Sequence, residues 1–401
     1  YMENFQNRLF RRIKIRKVGM LLFRLHFSFI YFNQCPHGYR YNSSRWSAIT
    51  LNKPRRNFNS CSFIGIWSYS FYKENIVMNL KKVVIIFSLI FSSFQVIYAD
   101  YSSREDVGDF IKYMSKKYDF EASYLESIFA NALLQERVIR IMDRQPEGTM
   151  TWSRYKEIMV TESRIAGGKE FISSHKEDLK RAESIYGVPA EIIASIIGIE
   201  TRYGRIKGNI RVIDSLSTLA FDYPRRSKFF KIQLEEFLLL SKEEQFNPEE
   251  IKGSIAGAMG YGQFMPDSYR DYAVDFDQDG VRDILNNPVD AIGSVANFLN
   301  KKGKWKPNTP IAIKAKVINQ KESLKSSFKP YMTTIELGKL GLEASETVPG
   351  NLKFVPISLE LGEGYEYWLG FDNYNSLSRY NRSKLYVMAV YELSNVLSQY
   401  L

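Results

Sequence analysis

The chain has 401 residues, 45% of them hydrophobic, and a formal net charge of +11. That charge invites a nucleic-acid partner, but residues 1–99 hold 15 of the 55 basic residues and only two of the 44 acidic ones, Glu3 and Glu74. Residues 100–401 keep 40 basic and 42 acidic residues, so the body carries no basic footprint for nucleic acid.

Residues 1–77 show no sustained periodicity, and the expectation is that they lie outside the native product as an over-extended start. The alternative is a genuine basic arm. Met78-Asn79-Leu80-Lys81-Lys82 is a short basic start, Val83 to Phe91 is apolar but for Ser88, and Ile97-Tyr98-Ala99 offers a cleavage site before Asp100. This is the layout of a secretory signal peptide over 78–99. An uncleaved anchor is the rival reading, since the run to Ala99 nearly reaches bilayer length. Ser92, Ser93 and Gln95 in its second half favour cleavage, although Ile97 is bulkier than the usual small residue. The expected location is the periplasm. Both cysteines, Cys35 and Cys61, precede this segment. The exported part therefore has no disulfide framework and no Cys for lipid attachment, and packed cores must hold it together.

Beyond residue 100 the pattern is mostly helical. Asp109 to Ala132 has apolar residues at helical spacing, Pro146-Glu147-Gly148 breaks the pattern, and Trp152 to Ile165 resumes it. Lys169 to Tyr186 is amphipathic and ends at Gly187. Pro189 suits the first turn of the next helix and Gly204 its stop. Phe229 to Leu240 is a further helix. Ile311 to Ile318, Lys353 to Leu361 and Tyr365 to Phe371 alternate as strands do, with Gly362 and Gly364 as a turn. Lys384 to Leu397 returns to helix. The expected fold class is mainly α (α+β). A helical domain covers 100–168, a second helical body 169–309 with 372–401, and a small β-rich insert 310–371.

Elimination narrows the chemistry. His175 is the only histidine after the leader and reads as a solvated helix residue, so zinc sites and a Ser-His-Asp triad lack their parts. There is no phosphate-binding glycine loop and no organic cofactor is expected. Carboxylate chemistry remains. In a helix over 192–201, Ile193, Ile196, Ile197 and Glu200 share one face. A carboxylate among isoleucines has its ionised form disfavoured, as suits a general acid near neutral pH. The bland alternative is a structural carboxylate paired with Arg202 or Arg205. A second constellation, Gly253 to Pro266, has four glycines at 253, 257, 260 and 262. It permits close approach of backbone to a ligand. Tyr261, Gln263 and Phe264 add ring faces and an amide suited to sugars, and a plain tight loop is the alternative. Asp214, the nearest downstream acid, reads as a helix cap.

Glu-Thr-Arg-Tyr-Gly at 200–204 and Gly-Ala-Met-Gly-Tyr-Gly-Gln-Phe-Met-Pro at 257–266 resemble the membrane-bound lytic murein transglycosylase B family. Asp222-Tyr223-Pro224-Arg225-Arg226, Pro288 to Asn297 and Arg379-Tyr380-Asn381 resemble it too, in register from about 150 to the end. The resemblance implies a lysozyme-like catalytic core over 169–309 and 372–401, with Glu200 as the single acid/base. Such enzymes protonate the bond between N-acetylmuramic acid and N-acetylglucosamine, and the C6 hydroxyl then closes a 1,6-anhydro ring. By the same resemblance Ser254 and Gln263 hydrogen-bond near the catalytic centre, and Tyr155, Phe264, Tyr380 and Tyr386 line the sugar groove. Asn381 positions substrate, and Arg225 and Arg226 reach a peptide or muramoyl carboxylate. Phe298 stands where family members can have Tyr. The implied partner is the peptidoglycan glycan strand, with other cell-wall enzymes as candidate partners and a monomer expected. Two alternatives stay open: a hydrolytic muramidase with the same acid, and a non-catalytic murein-binding or calcium-binding scaffold.

Asp275, Asp277 and Asp279 occupy positions 1, 3 and 5 of an EF-hand-like loop with Gly280 at position 6. Position 12 is Asn286 rather than the bidentate Glu. The resemblance suggests Asp290 as the displaced carboxylate, in a loop over 275–290, and Val281 could offer only its carbonyl. The expectation is a structural Ca2+ of modest affinity, against the alternative of a solvated acidic turn.

Overall fold

In the computed structural model of the chain, residues 101–144, 150–319, 324, 327–348 and 352–401 are described. The expected leader and signal peptide over 1–99 and the break at Pro146 lie outside them. The described residues belong to one compact unit spanning Gln95–Leu401. None of their helices is by itself long and apolar enough to cross a membrane.

A short 3-10 turn at Tyr101–Ser103 comes first among the described residues, followed by α1 (Glu105–Tyr118), α2 (Ala122–Asn131) and α3 (Glu136–Arg144). The apolar spacing that joins 109–132 into one helix is real but interrupted, because Asp119 turns left-handed at φ 57° and ends α1. The stretch from 152 likewise divides into α4 (Trp152–Met159) and α5 (Glu162–Ser174), with Thr161 accepting the Arg164 N–H as a cap. His175 sits at the junction of α5 and α6 (Lys176–Tyr186) instead of inside a helix, its ring 4.7 Å from that of Phe171. The expected stop at Gly187 holds, at φ 70°.

Next come α7 (Ala190–Thr201), β1 (Ile210–Arg211), α8 (Val212–Phe221) and α9 (Ser227–Glu243). β2 (Lys252–Gly253), α10 (Pro266–Tyr272) and α11 (Pro288–Lys301) follow. The insert holds β3 (Ala312–Val317), α12 (Thr334–Lys339), β4 (Leu342–Ala344), β5 (Val355–Glu360) and β6 (Tyr365–Gly370). The chain closes with α13 (Asp372–Leu377) and α14 (Lys384–Leu397). The three alternating segments form strands, and β4, which the alternation did not mark, joins them in an antiparallel sheet of order β4-β3-β6-β5. Gly362 and Gly364, both at positive φ, turn the chain from β5 into β6.

One hydrophobic core runs from Tyr101 to Leu397 and takes in residues on both sides of position 168. The helices of 100–168 therefore share a core with the rest instead of owning one. The insert does have a core of its own, around Leu337, Phe354, Leu369 and Phe371. Ile357, Leu359 and Trp368 of the same sheet join the main core, and Tyr391 of α14 donates to the Ala312 carbonyl at 2.9 Å. The sheet is thereby fixed against the helix that carries Tyr386.

Candidate active site

α7 is buried on nearly every side, from Ile192 to Ile199, as expected of a helix apolar all round. Only Glu191 and Glu200 are half-exposed within it. Glu200 thus emerges from the last turn of a helix that cannot rotate without unpacking five isoleucines. Arg202, Tyr203 and Gly204 end it in three successive left-handed residues. At Gly204 a side chain would sit 2.1 Å from the Tyr261 ring, so the motif's glycine is needed for both φ and space.

This close approach brings the segments 200–204 and 257–266 together. Thr201 Oγ1 lies 2.8 Å from the Tyr261 carbonyl oxygen and accepts the Gly204 N–H at 2.9 Å. The glycine strip folds as a tight hairpin, with Met259 and Phe264 exchanging two backbone bonds of 2.9 Å. Ser254 Oγ accepts from Ala256 and Ala258 N–H, so it shapes the strip from within. Gln263, at φ 51°, donates through Nε2 to the carbonyls of Gly260 (2.9 Å) and Lys207 (3.1 Å). Its amide nitrogen fixes the hairpin to the loop after Glu200.

The aromatic wall stands opposite. Tyr386, on the first turn of α14, donates its hydroxyl to Glu200 Oε1 at 2.7 Å. Its ring stacks on that of Tyr380, 6.4 Å apart and 8° from parallel. Tyr380 donates to the Gly262 carbonyl at 2.5 Å, which fastens the wall to the glycine strip. Phe264, Phe298 and Tyr380 form a triangle with centroids 4.8–5.9 Å apart. Phe298 is buried, so where a Tyr would bring a hydroxyl this chain brings only a ring face. Tyr155 of α4 is buried too. Asn381 is half-buried, and its carbonyl accepts the Ser383 N–H just ahead of α14. Burial, reinforced by the Glu200 charge, pushes the hydroxyls of both Tyr380 and Tyr386 well above 10. Both remain protonated donors throughout any working pH range. Among the described residues, Glu200 is the one carboxylate acting on both rings.

Two expected site residues are not brought here by their contacts. Arg225, exposed in the turn between α8 and α9, pairs with Asp143 of α3 at 3.3 Å. Arg226 lies over the Phe229 ring at 4.5 Å. Asp214 is no cap. It is buried in the first turn of α8, accepts the Leu133 N–H at 2.9 Å and pairs with Arg211 at 2.8 Å. An acid spent in this way has no part in the cleft.

Sequence reasoning passed over Arg164. It is 6% exposed, yet no carboxylate pairs with it among the described residues. Its Nε donates to the Gly198 carbonyl at 2.8 Å, and an Nη donates to the carbonyls of Ile158 (3.0 Å) and Met159. These oxygens end α7 and α4, where helix dipoles favour a cation. Burial, with Arg202 nearby, lowers its pKa. Nothing in Glu162-Ser163-Arg164-Ile165 separates it from a surface arginine. Arg164→Met takes this donor from the Ile158 and Met159 carbonyls and leaves the Gly198 carbonyl with only the Arg202 N–H. We expect a loss of about 3 kcal/mol, read as a fall in Tm of roughly 6 °C. An unchanged Tm counts against its role as the clamp of both helix ends.

The acidic loop gathers Asp275, Asp277 and Asp279, whose carboxylate oxygens lie within 4.8 Å of one another. Gly280 N–H donates to Asp275 at 2.8 Å and Val281 N–H to Asp279 at 2.8 Å, so the loop already wraps around the three. The Val281 side chain itself is exposed. Asn287 donates to Asp277 Oδ2 at 2.7 Å and holds its carboxyl below the usual range. Asp290 does not join the three. Fully buried, it accepts from the N–H groups of Phe276 (2.7 Å) and Asp283 (2.8 Å). It staples both ends of the loop to α11. Three carboxylates this close, without a cationic side chain among them, are a donor set that fits a hard divalent cation.

Residues 102–395 match the family described as transglycosylase SLT domain. The chain is 39% identical over 308 residues to membrane-bound lytic murein transglycosylase B of Escherichia coli (strain K12), covering 75% of this chain and 84% of that protein. It is similar to the structure of the catenated lytic transglycosylase SltB1 from Pseudomonas aeruginosa. That match has a TM-score of 0.71 at 40% identity and covers 75% of this chain and 99% of the other. It is also similar to the Escherichia coli lytic transglycosylase Slt35 solved in complex with calcium, with a TM-score of 0.69 at 38% identity. There the coverage is 76% of this chain and 97% of the other.

Proposed function

The chain belongs to the transglycosylase SLT domain family, and we propose that Glu200 serves it as the single acid and base at the cleaved bond. It is a peptidoglycan lytic transglycosylase with the lysozyme-like fold of that family. The observation that carries the role of Glu200 is its 2.7 Å bond to Tyr386 in an aromatic cleft. The Glu200 carboxyl gives its proton to the glycosidic oxygen between N-acetylmuramic acid and N-acetylglucosamine, and the C1–O bond breaks. The carboxylate left behind takes the proton of the C6 hydroxyl on the same muramoyl ring as that oxygen bonds to C1. The proton count closes on one carboxylate, whereas hydrolysis of ordinary glycosides uses two at a set separation.

Mass spectrometry of the sugar ends released from purified murein tests this. We expect anhydro ends, lighter than reducing ends by one water. Reducing ends would sink the transfer mechanism in favour of a muramidase, and no release would favour a scaffold. Murein as substrate places the work of the enzyme in the cell envelope. Export to the periplasm by a cleaved signal peptide is the finer proposal: N-terminal sequencing of the native protein should begin at Asp100, and a start upstream of it would overturn the cleavage.

For the acidic loop we propose a structural Ca2+ held by Asp275, Asp277 and Asp279, with the Val281 carbonyl in reach and Asp290 holding the loop in shape. A cation there offsets the repulsion of the three carboxylates and stiffens the approach to α11. Calcium at about 100 times its Kd should stabilise the fold by about 2.7 kcal/mol. That corresponds to a Tm roughly 5 °C above the value in chelator. Asp275→Asn with Asp277→Asn should abolish the difference, and a calcium-independent Tm in the unaltered protein would remove the proposal.

A further inference from the structure

Three helical glycines face one side chain. Gly167 and Gly168 lie in α5 and Gly198 in α7, where glycine weakens a helix relative to alanine. A Cβ at Gly168 or at Gly198 would fall 2.5 Å from the Tyr203 hydroxyl oxygen, and one at Gly167 would fall 3.0 Å from the Tyr203 ring. The three glycines therefore make a slot, and the Tyr203 ring is the peg in it. Phe171 of α5 packs against that ring, with centroids 5.4 Å apart and planes at 32°. A Cβ at Gly168 would also fall 2.6 Å from Leu397, the last residue of α14. The peg thus ends where α5 meets α7, which carries Glu200, and α14, which carries Tyr386.

The backbone under the peg is strained. Arg202 and Tyr203 stand at φ 51° and 60°, a left-handed conformation that costs energy in residues with a Cβ. Such residues persist only where their surroundings over-determine them. The Tyr203 N–H bonds the Ile197 carbonyl at 3.3 Å and the Arg202 N–H that of Gly198 at 3.1 Å, which residues of almost any type could do. The ring in its slot is what this residue type adds. Its hydroxyl is nevertheless buried with no hydrogen-bond partner among the described residues. Burial pushes its pKa up, so it stays protonated. An orphan group of this kind costs stability, and phenylalanine would avoid that cost. Folding alone therefore does not explain the oxygen. What the oxygen contributes is reach, because it is the closest atom facing both Gly168 and Gly198, and Gly198 lies two residues ahead of Glu200.

We propose that Tyr203 is a positioning residue for the reaction: its hydroxyl is a steric stop that fixes the end of α7 against α5 and α14, and so holds Glu200 at bonding distance from Tyr386. The proposal rests on the reading of Glu200 as acid and base. Without the oxygen the slot keeps a gap, and the strained turn relaxes into it. A displacement of about 1 Å can cost about a hundredfold in rate, so a shift of a fraction of that should cost about tenfold. Phe264, Phe298 and Tyr380 of the cleft wall stand on other segments, so the grip on substrate is spared.

Tyr203→Phe should lower kcat on purified murein about tenfold, with KM unchanged and Tm equal or higher. A tyrosine that only fills the core predicts the reverse, a lower Tm with kcat kept. Gly168→Ala supplies the rescue. Alone, its methyl collides with the hydroxyl and lowers kcat. Combined with Tyr203→Phe, the methyl occupies the place that the oxygen left, and Leu397, the far end of a flexible side chain, gives way. The double variant should return to within about threefold of the unaltered kcat, a coupling that independent sites do not show. The proposal is overturned if Tyr203→Phe keeps the unaltered kcat, if KM rises as kcat falls, or if the double variant is as slow as the single ones. The released sugar ends are read in the same assays. Reducing ends would overturn the transfer mechanism and leave the kcat comparison standing. If the unaltered protein releases nothing, crystal structures of the three variants decide. A Tyr386–Glu200 contact longer than 2.7 Å in Tyr203→Phe and restored in the double variant supports the stop, and an unmoved contact rejects it.

Discussion

Glu200→Gln should lower the release of anhydro ends by about 10²–10⁴-fold, the contribution of a positioned acid or base, while the protein stays folded. The amide is isosteric with the carboxylate and can still accept the Tyr386 hydroxyl, so the 2.7 Å contact survives. It cannot protonate a glycosidic oxygen or take a proton from the C6 hydroxyl, and both halves of the reaction lose their agent. Desolvating an amide costs less than desolvating a carboxylate, so Tm should hold or rise slightly. The decisive measurement is kcat on purified murein, with circular dichroism as the control for folding. A variant within tenfold of the unaltered rate would falsify the single-carboxylate mechanism, because among the described residues no other acid acts on the two tyrosines of the cleft.

How far the sequence anticipates this site depends on the range of each interaction. Glu200 is legible because its setting is local: Ile193, Ile196 and Ile197 lie within two turns of it. The burial proves wider than a stripe, since Ile192 and Ile199 on other faces are buried as well. The Tyr386 bond spans 186 residues and no spacing rule reaches it. The resemblance lists Tyr386 only as groove lining, whereas the structure gives it direct contact with the acid. Asp119 shows the opposite failure. Apolar periodicity runs straight through it, and only a left-handed backbone, invisible to periodicity, ends the helix there. Arg225 and Arg226 stand in a family-like motif, yet Asp143 and Phe229 engage them. The resemblance offers Asp290 as the displaced metal ligand. Its burial and two backbone donors make it a staple.

Tyr386→Phe isolates the bond that sequence could not supply. The substitution keeps the buried ring and its stack on Tyr380, so packing and substrate affinity should change little. It removes one neutral donor from a charged acceptor, a loss of about 1.5–3 kcal/mol, or roughly 10–100-fold in kcat. The direction of the accompanying pH effect follows from the donor's chemistry. Burial and the Glu200 charge hold the Tyr386 hydroxyl well above 10, so it is a proton donor at every working pH and adds no limb of its own. As a donor it favours the ionised carboxylate. Without it the acid keeps its proton to higher pH, so the limb of the kcat/KM profile governed by Glu200 should move to the alkaline side. A merely structural tyrosine predicts a lower Tm with that limb unmoved. A limb that moves to the acid side would mean that the hydroxyl does not donate to Glu200 in the working enzyme. An alkaline shift with an unchanged Tm would instead assign Tyr386 the task of fixing the charge state and the orientation of the one group that handles both protons.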